Sequence, residues 1–302
     1  MTEPFFFDII KALKDLAVKN GTNIILNQQV VDCYKNKDKF VVKTTDNIYE
    51  SDCLILCTGG ASYKATGSDG FGYKLAKKFG HTIKDIKPAL CPIKLKDSWV
   101  KTVEGLSLKN VELSAYNNNK IIKSEFGEML FTSSGISGPI GLTISSYINS
   151  FDNVELYLDF KPALNNEKLE NRIIREIDAN KNLQINTMLK NLLPKNLVPI
   201  FLKVCKLDET KKLNSITVED RKNIVHNLKN FKLNFDRIYD IDYAIVTSGG
   251  VNVKDVNPKT MESKLVKNLF FAGEILDVDA LTGGYNIQIA LSTGVSAGKG
   301  VV

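Results

Sequence analysis

Apolar positions recur at helical spacing through residues 8–21 (DIIKALKDLAVKNG), and the closing glycine suits a helix C-cap. The chain then changes to short β-type runs separated by polar turns, in NIILNQQVVDCYKNKDKFVVKTTDNIYE. Residues 54–57 (LILC) form a continuous apolar run ending in Thr58-Gly59-Gly60, the pattern of a buried strand in a parallel sheet. A glycine-rich loop, TGSDGFG, feeds a helix predicted over residues 73–79.

The texture changes after Pro88. β-like stretches such as SLKNVELSAY and KIIKSEF are joined by a turn at Asn117-Asn118-Asn119. A small helix, SGPIGLTISSYI, has Ser137 as its N-cap and Pro139 in its first turn. From residue 165 to about 232 the spacing is helical, with Pro194 and Pro199 as interruptions. Thr217 with Asp220 three residues on forms a capping box with Asp in place of Glu or Gln. β-type runs return in YAIVTSGGV and NLFFAG. The pattern predicts an α/β domain (1–88 and 235–302) interrupted by a β-barrel-like insert (89–162) and a helical subdomain (163–234).

Composition adds limits. At 302 residues the chain can bury a large core, and 43% hydrophobic with 25% charged residues is ordinary for a soluble protein. No apolar run approaches the ~20 residues of a membrane span, and Phe5-Phe6-Phe7 is too short for a signal-peptide core. A cytoplasmic protein with no membrane partner is expected. The five cysteines are an odd count without metal-ligand pairing and read as reduced thiols. The net charge is +6, but the lysines look scattered along the chain, so nucleic acid is not expected as a partner.

Candidate chemistry centres on LFFAGEILDVDALTGGYNIQIALSTG. A strand end in an open sheet faces a ligand crevice. There Gly273 bares the backbone and Glu274 can accept hydrogen bonds from hydroxyls, as of a ribityl chain. The helix opened by Gly283-Gly284 offers free N–H groups and a partial positive charge, suited to the carbonyl edge of a flavin ring. Two more apolar runs end in paired glycines, Gly59-Gly60 and Gly249-Gly250, which let backbone pack closely on a ligand or on a neighbouring turn. Tyr285 and Asn286 are the candidate catalytic proton donors. Asp277 and Asp279 are read as helix caps or ribityl contacts, and His81 and His226 as structural or solvent-facing. No metal cluster or Ser-His-Asp order stands out.

Three segments carry a resemblance: ILCTGGASYKATGSDGFGYKLAKKFGHTI, GEMLFTSSGISGP and TSGGVNVKDVNPKTMESKLVKNLFFAGEILDVDALTGGYNIQIALSTG. In order, over nearly the whole chain, they resemble the BaiN/aminoacetone oxidase-like family of NAD(P)/FAD-dependent flavoproteins. The resemblance implies a Rossmann-like FAD domain interrupted by a barrel-plus-helices insert. It further implies FAD as cofactor, NAD(P)H or oxygen as redox partner and a small organic substrate. Carried onto matching positions, it makes Gly273 and Glu274 ribityl-side contacts. Gly284, Tyr285, Asn286, Ile287 and Gln288 become the ring-side helix start. Thr58, Gly59 and Gly60 would border the cofactor, Val30 would touch the adenine through its backbone, and the TSSGISGP loop would lie over the substrate.

Three departures are visible. Phe71 stands where many relatives have Asp. Ile245 stands where the distantly similar fumarate reductases have a dicarboxylate-binding histidine. No GxGxxG turn occurs, GSDGFG having the wrong glycine order. The expectation is an N-terminally truncated flavoprotein that binds FAD poorly alone, because the absent turn is the main pyrophosphate site. The rival expectation is a non-catalytic fragment.

Overall fold

The computed structural model describes residues 3–301, with side chains from residue 8 onward. It divides into two compact units, Met1–Leu54 and Ile55–Val302.

The first unit has helix α1 (Glu3–Lys19) and an antiparallel meander of β1 (Val30–Asn36), β2 (Lys39–Thr44) and β3 (Ile48–Ser51). Gly21, at φ 84°, closes α1 with backbone bonds from Gly21 to Val18 and from Thr22 to Ala17. Phe40, Val41 and Cys33 are buried, whereas Ile9, Ile10, Leu13 and Leu16 of α1 are exposed. Helical periodicity here makes a helix without making a buried face.

The second unit takes in the end of β4 (Leu54–Leu56), whose partner is a strand from far along the chain. Leu56 is buried but Ile55 is exposed, which corrects the reading of a strand covered on both faces. Helix α2 (Phe71–Lys78) leads to β5 (Ile83–Ala89). Leu90, fully buried at φ 49°, then turns the chain into the insert.

The insert holds β6 (Ile93–Leu95), the long hairpin β7 (Ser107–Asn117) and β8 (Lys120–Thr132), then β9 (Gly135–Ser137), α3 (Gly138–Ile148) and β10 (Glu155–Asp159). Asn118 and Asn119, at φ 49° and 60°, form the two-residue turn of the hairpin, a conformation Asn tolerates better than most residues. Helices α4 (Asn166–Ala179), α5 (Ile185–Leu189), α6 (Val198–Cys205) and α7 (Val218–Lys229) follow, and β11 (Phe231–Leu233) and β12 (Phe235–Ile238) complete the sheet. The capping box on α7 is present, Thr217 accepting from the Asp220 N–H and Asp220 from the Thr217 N–H.

The sheet order is β11-β10-β7-β8-β9-β6-β12, antiparallel throughout its paired neighbours. The sheet curls until its two end strands meet in sequence at Asn234, which bonds Asp97 through both its N–H and its amide. No ladder joins β11 to β12 among the described residues, so the insert is an open, barrel-like sheet and not a closed barrel. Its core is continuous from Ile93 to Leu233 and ties sheet to helices through Phe160, Phe201 and Phe231.

The chain returns in β13 (Val246–Val251), β14 (Leu269–Phe271) and α8 (Tyr285–Gly300). β13 pairs antiparallel with β5, and β14 pairs with β4, the Ala272 N–H donating to the Leu56 carbonyl. No described helix is long and apolar enough to cross a membrane.

Candidate active site

Three chain segments, far apart in sequence, meet in the second unit. The Thr58–Gly60 turn lies against β13 and the Gly273–Glu274 turn. The Ala61 N–H donates to Thr247 Oγ1 at 2.8 Å, and the Thr247 N–H donates to Glu274 Oε1 at 2.7 Å. A Cβ on Gly60 would stand 2.3 Å from Thr247 Oγ1 and 3.0 Å from Glu274 Cδ. Only a hydrogen side chain permits that approach. Gly250 meets the same neighbourhood from the other side, where a Cβ would stand 2.6 Å from the Ile275 carbonyl oxygen.

The glycine pair in β13 needs one correction. Gly249 and Gly250 do not mark a strand end, because β13 continues to Val251 across a register shift. Gly249 packs on the Asp85 carbonyl and Gly250 on the 275–277 turn. Of the two uses open to a glycine pair, close packing on neighbouring backbone is the one realised here.

Helix α8 begins as expected. Gly284 is its N-cap at φ 86°, with no side chain capping the first turn, so the first N–H groups stay available. Neither Asp277 nor Asp279 caps it. Instead Asp279 accepts from Ser248 Oγ at 3.1 Å. Burial pushes the Asp279 carboxyl up, against the Ser248 hydrogen bond, and nearby Asp277 adds to the rise. Asn286 is fully engaged in holding the loop, accepting from the Ala280 N–H and donating to the Ala280 carbonyl. Tyr285 is 62% exposed, with its ring close over Gly283. The Gly273 N–H donates to Thr293 Oγ1, which fixes the turn to the body of α8.

Between the α8 start and the hinge of the insert lies a cavity of about 440 Å³. Glu274, Gly283, Gly284, Asn286 and Ile287 line one side, and Leu90, Ile245, Val246 and Leu281 give it an apolar wall. Leu281 packs on the buried cluster of Ala89, Leu90 and Val246, so the loop before α8 is anchored where the insert joins.

Other expected residues fall elsewhere. Val30 opens β1 in the first unit, opposite Thr44. Thr58 packs against Gly72, and Gly59 against Ser68. Gln288 is exposed on α8. The TSSGISGP loop forms the β8–β9 turn, with Ser134 hydrogen-bonded to the Tyr239 hydroxyl, and does not line the cavity. Ser137 is the N-cap of α3 without a side-chain bond. His81 is buried with its ring nitrogens on the Ala76 carbonyl and Ser263 Oγ, and burial lowers its pKa; His226 is exposed on α7. His81 is thus packed into the fold, and His226 faces solvent. Sequence reasoning passed over Thr247, whose hydroxyl and N–H join two of the three turns, and Leu281. Thr247 stood in the quoted TSGG, where only the glycines drew notice.

The chain matches a family model described as HI0933-like protein Rossmann domain over residues 7–300. It is 32% identical over 293 residues to a ribosomal RNA dihydrouridine synthase of Haemophilus influenzae, covering 94% of this chain and 70% of that protein. It is 29% identical over 264 residues to a 3-dehydro-bile acid delta(4,6)-reductase of Clostridium scindens, covering 86% and 64%. A ribosomal RNA dihydrouridine synthase of Escherichia coli is 28% identical over 285 residues, covering 94% and 69%. The chain thus spans about two thirds of the length of these relatives, 64% to 70%. With the family match covering nearly every residue, the chain belongs to the HI0933-like Rossmann-domain family.

Proposed function

We propose that the protein is a flavin-dependent reductase of carbon–carbon double bonds conjugated to a carbonyl, with FAD as cofactor and NAD(P)H as electron source. The observation that carries this reading is the convergence of Gly60, Thr247 and Glu274 beside an uncapped helix start, lining or bordering one cavity. Such a cradle fits a flavin: a carboxylate for hydroxyls, bare backbone for close approach, and helix N–H groups for a carbonyl edge. The relatives' names add the reaction class. Forming dihydrouridine saturates the double bond beside a uracil carbonyl, and a 3-dehydro delta(4,6)-reductase saturates bonds conjugated to a ketone.

A reduced flavin held here would supply a hydride for the carbon β to the carbonyl. The remaining work falls to this chain. Glu274 is held by the Thr247 N–H through Oε1, and its carboxylate is the acceptor for ribityl hydroxyls. The start of α8 favours the negative charge that collects at the ring's carbonyl edge. Leu90, Ile245, Val246 and Leu281 offer the substrate an apolar wall. Tyr285, exposed at the helix start, is the proton donor to the α carbon. Asn286 serves as the clamp that shapes the loop. Thr58, Gly59, Gly273, Asp279, Ile287 and Gln288 complete the proposed cofactor contacts.

Uracil in ribosomal RNA is the leading substrate, because relatives of that name align over 94% of this chain. The expectation that excluded nucleic acid is not carried forward. A small apolar enone is the second reading, favoured by the apolar cavity wall. The test is anaerobic incubation of the chain with FAD, NAD(P)H and either unmodified ribosomal RNA or a steroid dienone. Mass spectrometry should show a gain of two hydrogens on one of them. Flavin that binds and is reduced while neither substrate gains hydrogen would overturn the reading. A chain that binds no flavin would favour the non-catalytic rival.

A further inference from the structure

The excess positive charge of this protein has an address. Residues 163–234 contain fourteen Lys and Arg against eight Asp and Glu, a net of +6 that equals the excess of the whole chain. The remainder of the molecule is balanced. Helix α4 itself carries three cations and four carboxylates, and what sets it apart is that its three cations share one flank. Leu169 and Ile173 are its buried positions, and Lys168, Arg172 and Arg175 follow one another at spacings of four and three along the neighbouring row. Glu167, Glu170 and Asp178 fall on other parts of the helix circumference, while Glu176 lies beside the row.

The chemistry of that row is selective. The chain has four arginines in total, against a large number of lysines, and two of them are Arg172 and Arg175. Arg offers a planar fork that matches phosphate oxygens in a way an ammonium cannot. Neither arginine has an ion-pair partner among the described residues. Three lysines of the same subdomain are paired, Lys211 with Asp220 at 2.7 Å, Lys229 with Asp159 at 2.5 Å and Lys232 with Glu155 at 3.0 Å. Lys161 lies close enough to Arg172 for their like charges to repel, which together with burial lowers the Lys161 pKa. Arg172 and Arg175 line a surface cavity of about 370 Å³ with Glu176 and Ala179. Ala179, on the same row, leaves that groove open toward the C-terminal end of the helix. Two arginines against one carboxylate, Glu176, leave the groove net positive.

We propose that the Lys168–Arg172–Arg175 row of α4, with Lys161 beside it, docks the phosphodiester backbone of folded RNA. The inference rests on ribosomal RNA being the substrate carrier, and it assigns the docking to the insert while the reaction stays at the Glu274 crevice. Phosphate contacts of this kind fix register and orientation without reading sequence. The crevice then has to admit a single base taken out of the stack.

The experiment measures binding of a fluorescein-labelled ribosomal RNA hairpin by anisotropy, without flavin, from about 50 to 200 mM salt. Compared with the wild type, the R172Q/R175Q chain should bind ~10-fold or more weakly at the low end. Its log-affinity slope against log-salt should be shallower by about 1.5, the share of two phosphate contacts. K11Q/K14Q, which removes the same charge from α1, should change affinity less than threefold or so. Circular dichroism of each variant separates lost binding from lost fold. The proposal is overturned by a wild type that does not bind the hairpin, by equal losses in both pairs, by an unchanged slope, or by a DNA hairpin of matching sequence bound as tightly. Because no flavin is present, RNA binding without any reductase activity would sink the functional reading alone. Enone reduction without RNA binding would sink this one alone.

Discussion

The insert and the crevice are built on opposite principles. The insert buries a core that runs unbroken from Ile93 to Leu233, with Phe201 and Phe231 stacked at 6.2 Å between sheet and helices. The crevice is assembled from short strands and close backbone contacts at glycine, and α8 beside it has Ala297 as its one buried residue among those described. Ile287, Leu291 and Val295, one face of that helix, are exposed. Buried core is thus concentrated in the part of the molecule that contributes least to the proposed cofactor cradle. The cradle depends on tight steric fit, which tolerates little change even where little surface is buried.

The sharpest way to break this contrast is to truncate each side. Phe231→Ala removes a ring that is 1% exposed, and a loss of about 3–5 kcal/mol is expected in urea unfolding. Leu291→Ser on α8, at 48% exposure, should change stability by no more than about 0.5 kcal/mol. Equal costs would refute the contrast.

Gly60→Ala comes next. The added Cβ collides with Thr247 and Glu274, so flavin affinity should fall by at least ~10-fold, with about 1–3 kcal/mol of stability lost from the overpacking. Unfolding curves and flavin titration read the two effects separately. Glu274→Gln keeps the shape but removes the charge from the acceptor that meets Thr247. Flavin binding should weaken by about tenfold, near 1.4 kcal/mol, with the melting curve little moved.

Among the changes expected to have an effect, the smallest belongs to the α7 cap. Thr217→Ala should cost about 1 kcal/mol. Burial pushes the Asp220 carboxyl up, but Lys211 and the Thr217 backbone and hydroxyl outweigh it and hold the pKa below the usual range. A lowered folded-state pKa means stability present above the unfolded value and lost as pH falls through the folded one. The wild type should therefore lose this increment as pH falls below about 4, and Thr217→Ala should show a smaller acid loss there.

What the sequence disclosed depends on how far apart the interacting residues are. The capping box at Thr217, the Asn118-Asn119 turn and Pro139 in the first turn of α3 are settled by neighbours, and their positions were readable from the chain. The glycines at 59–60, 249–250 and 283–284 could be picked out as places of close approach. What each approaches could not, because the partners of Gly60 lie more than 180 residues away. A glycine pair carries the same signature whether ligand or backbone fills the space, and at Gly249 it is the Asp85 carbonyl. Thr247 was missed for a related reason, since a hydroxyl's role is set by the turn it meets. The lysines looked scattered because their order along the chain hides which helix flank they share. Counting by segment would have found the charge on 163–234 before any coordinates.

The central claim is that the convergence of Gly60, Thr247 and Glu274 makes a seat for the ring and ribityl end of a flavin. Parallel titrations of the chain with riboflavin, FMN and FAD, followed by quenching of flavin fluorescence, test it most directly. With the ring-end contacts in place and no GxGxxG turn in the sequence, saturable binding of all three within about tenfold of one another is the expected result, weakened for all three by Gly60→Ala. No saturable binding, or FAD held a hundredfold or so more tightly than riboflavin and indifferent to Gly60→Ala, would contradict the account.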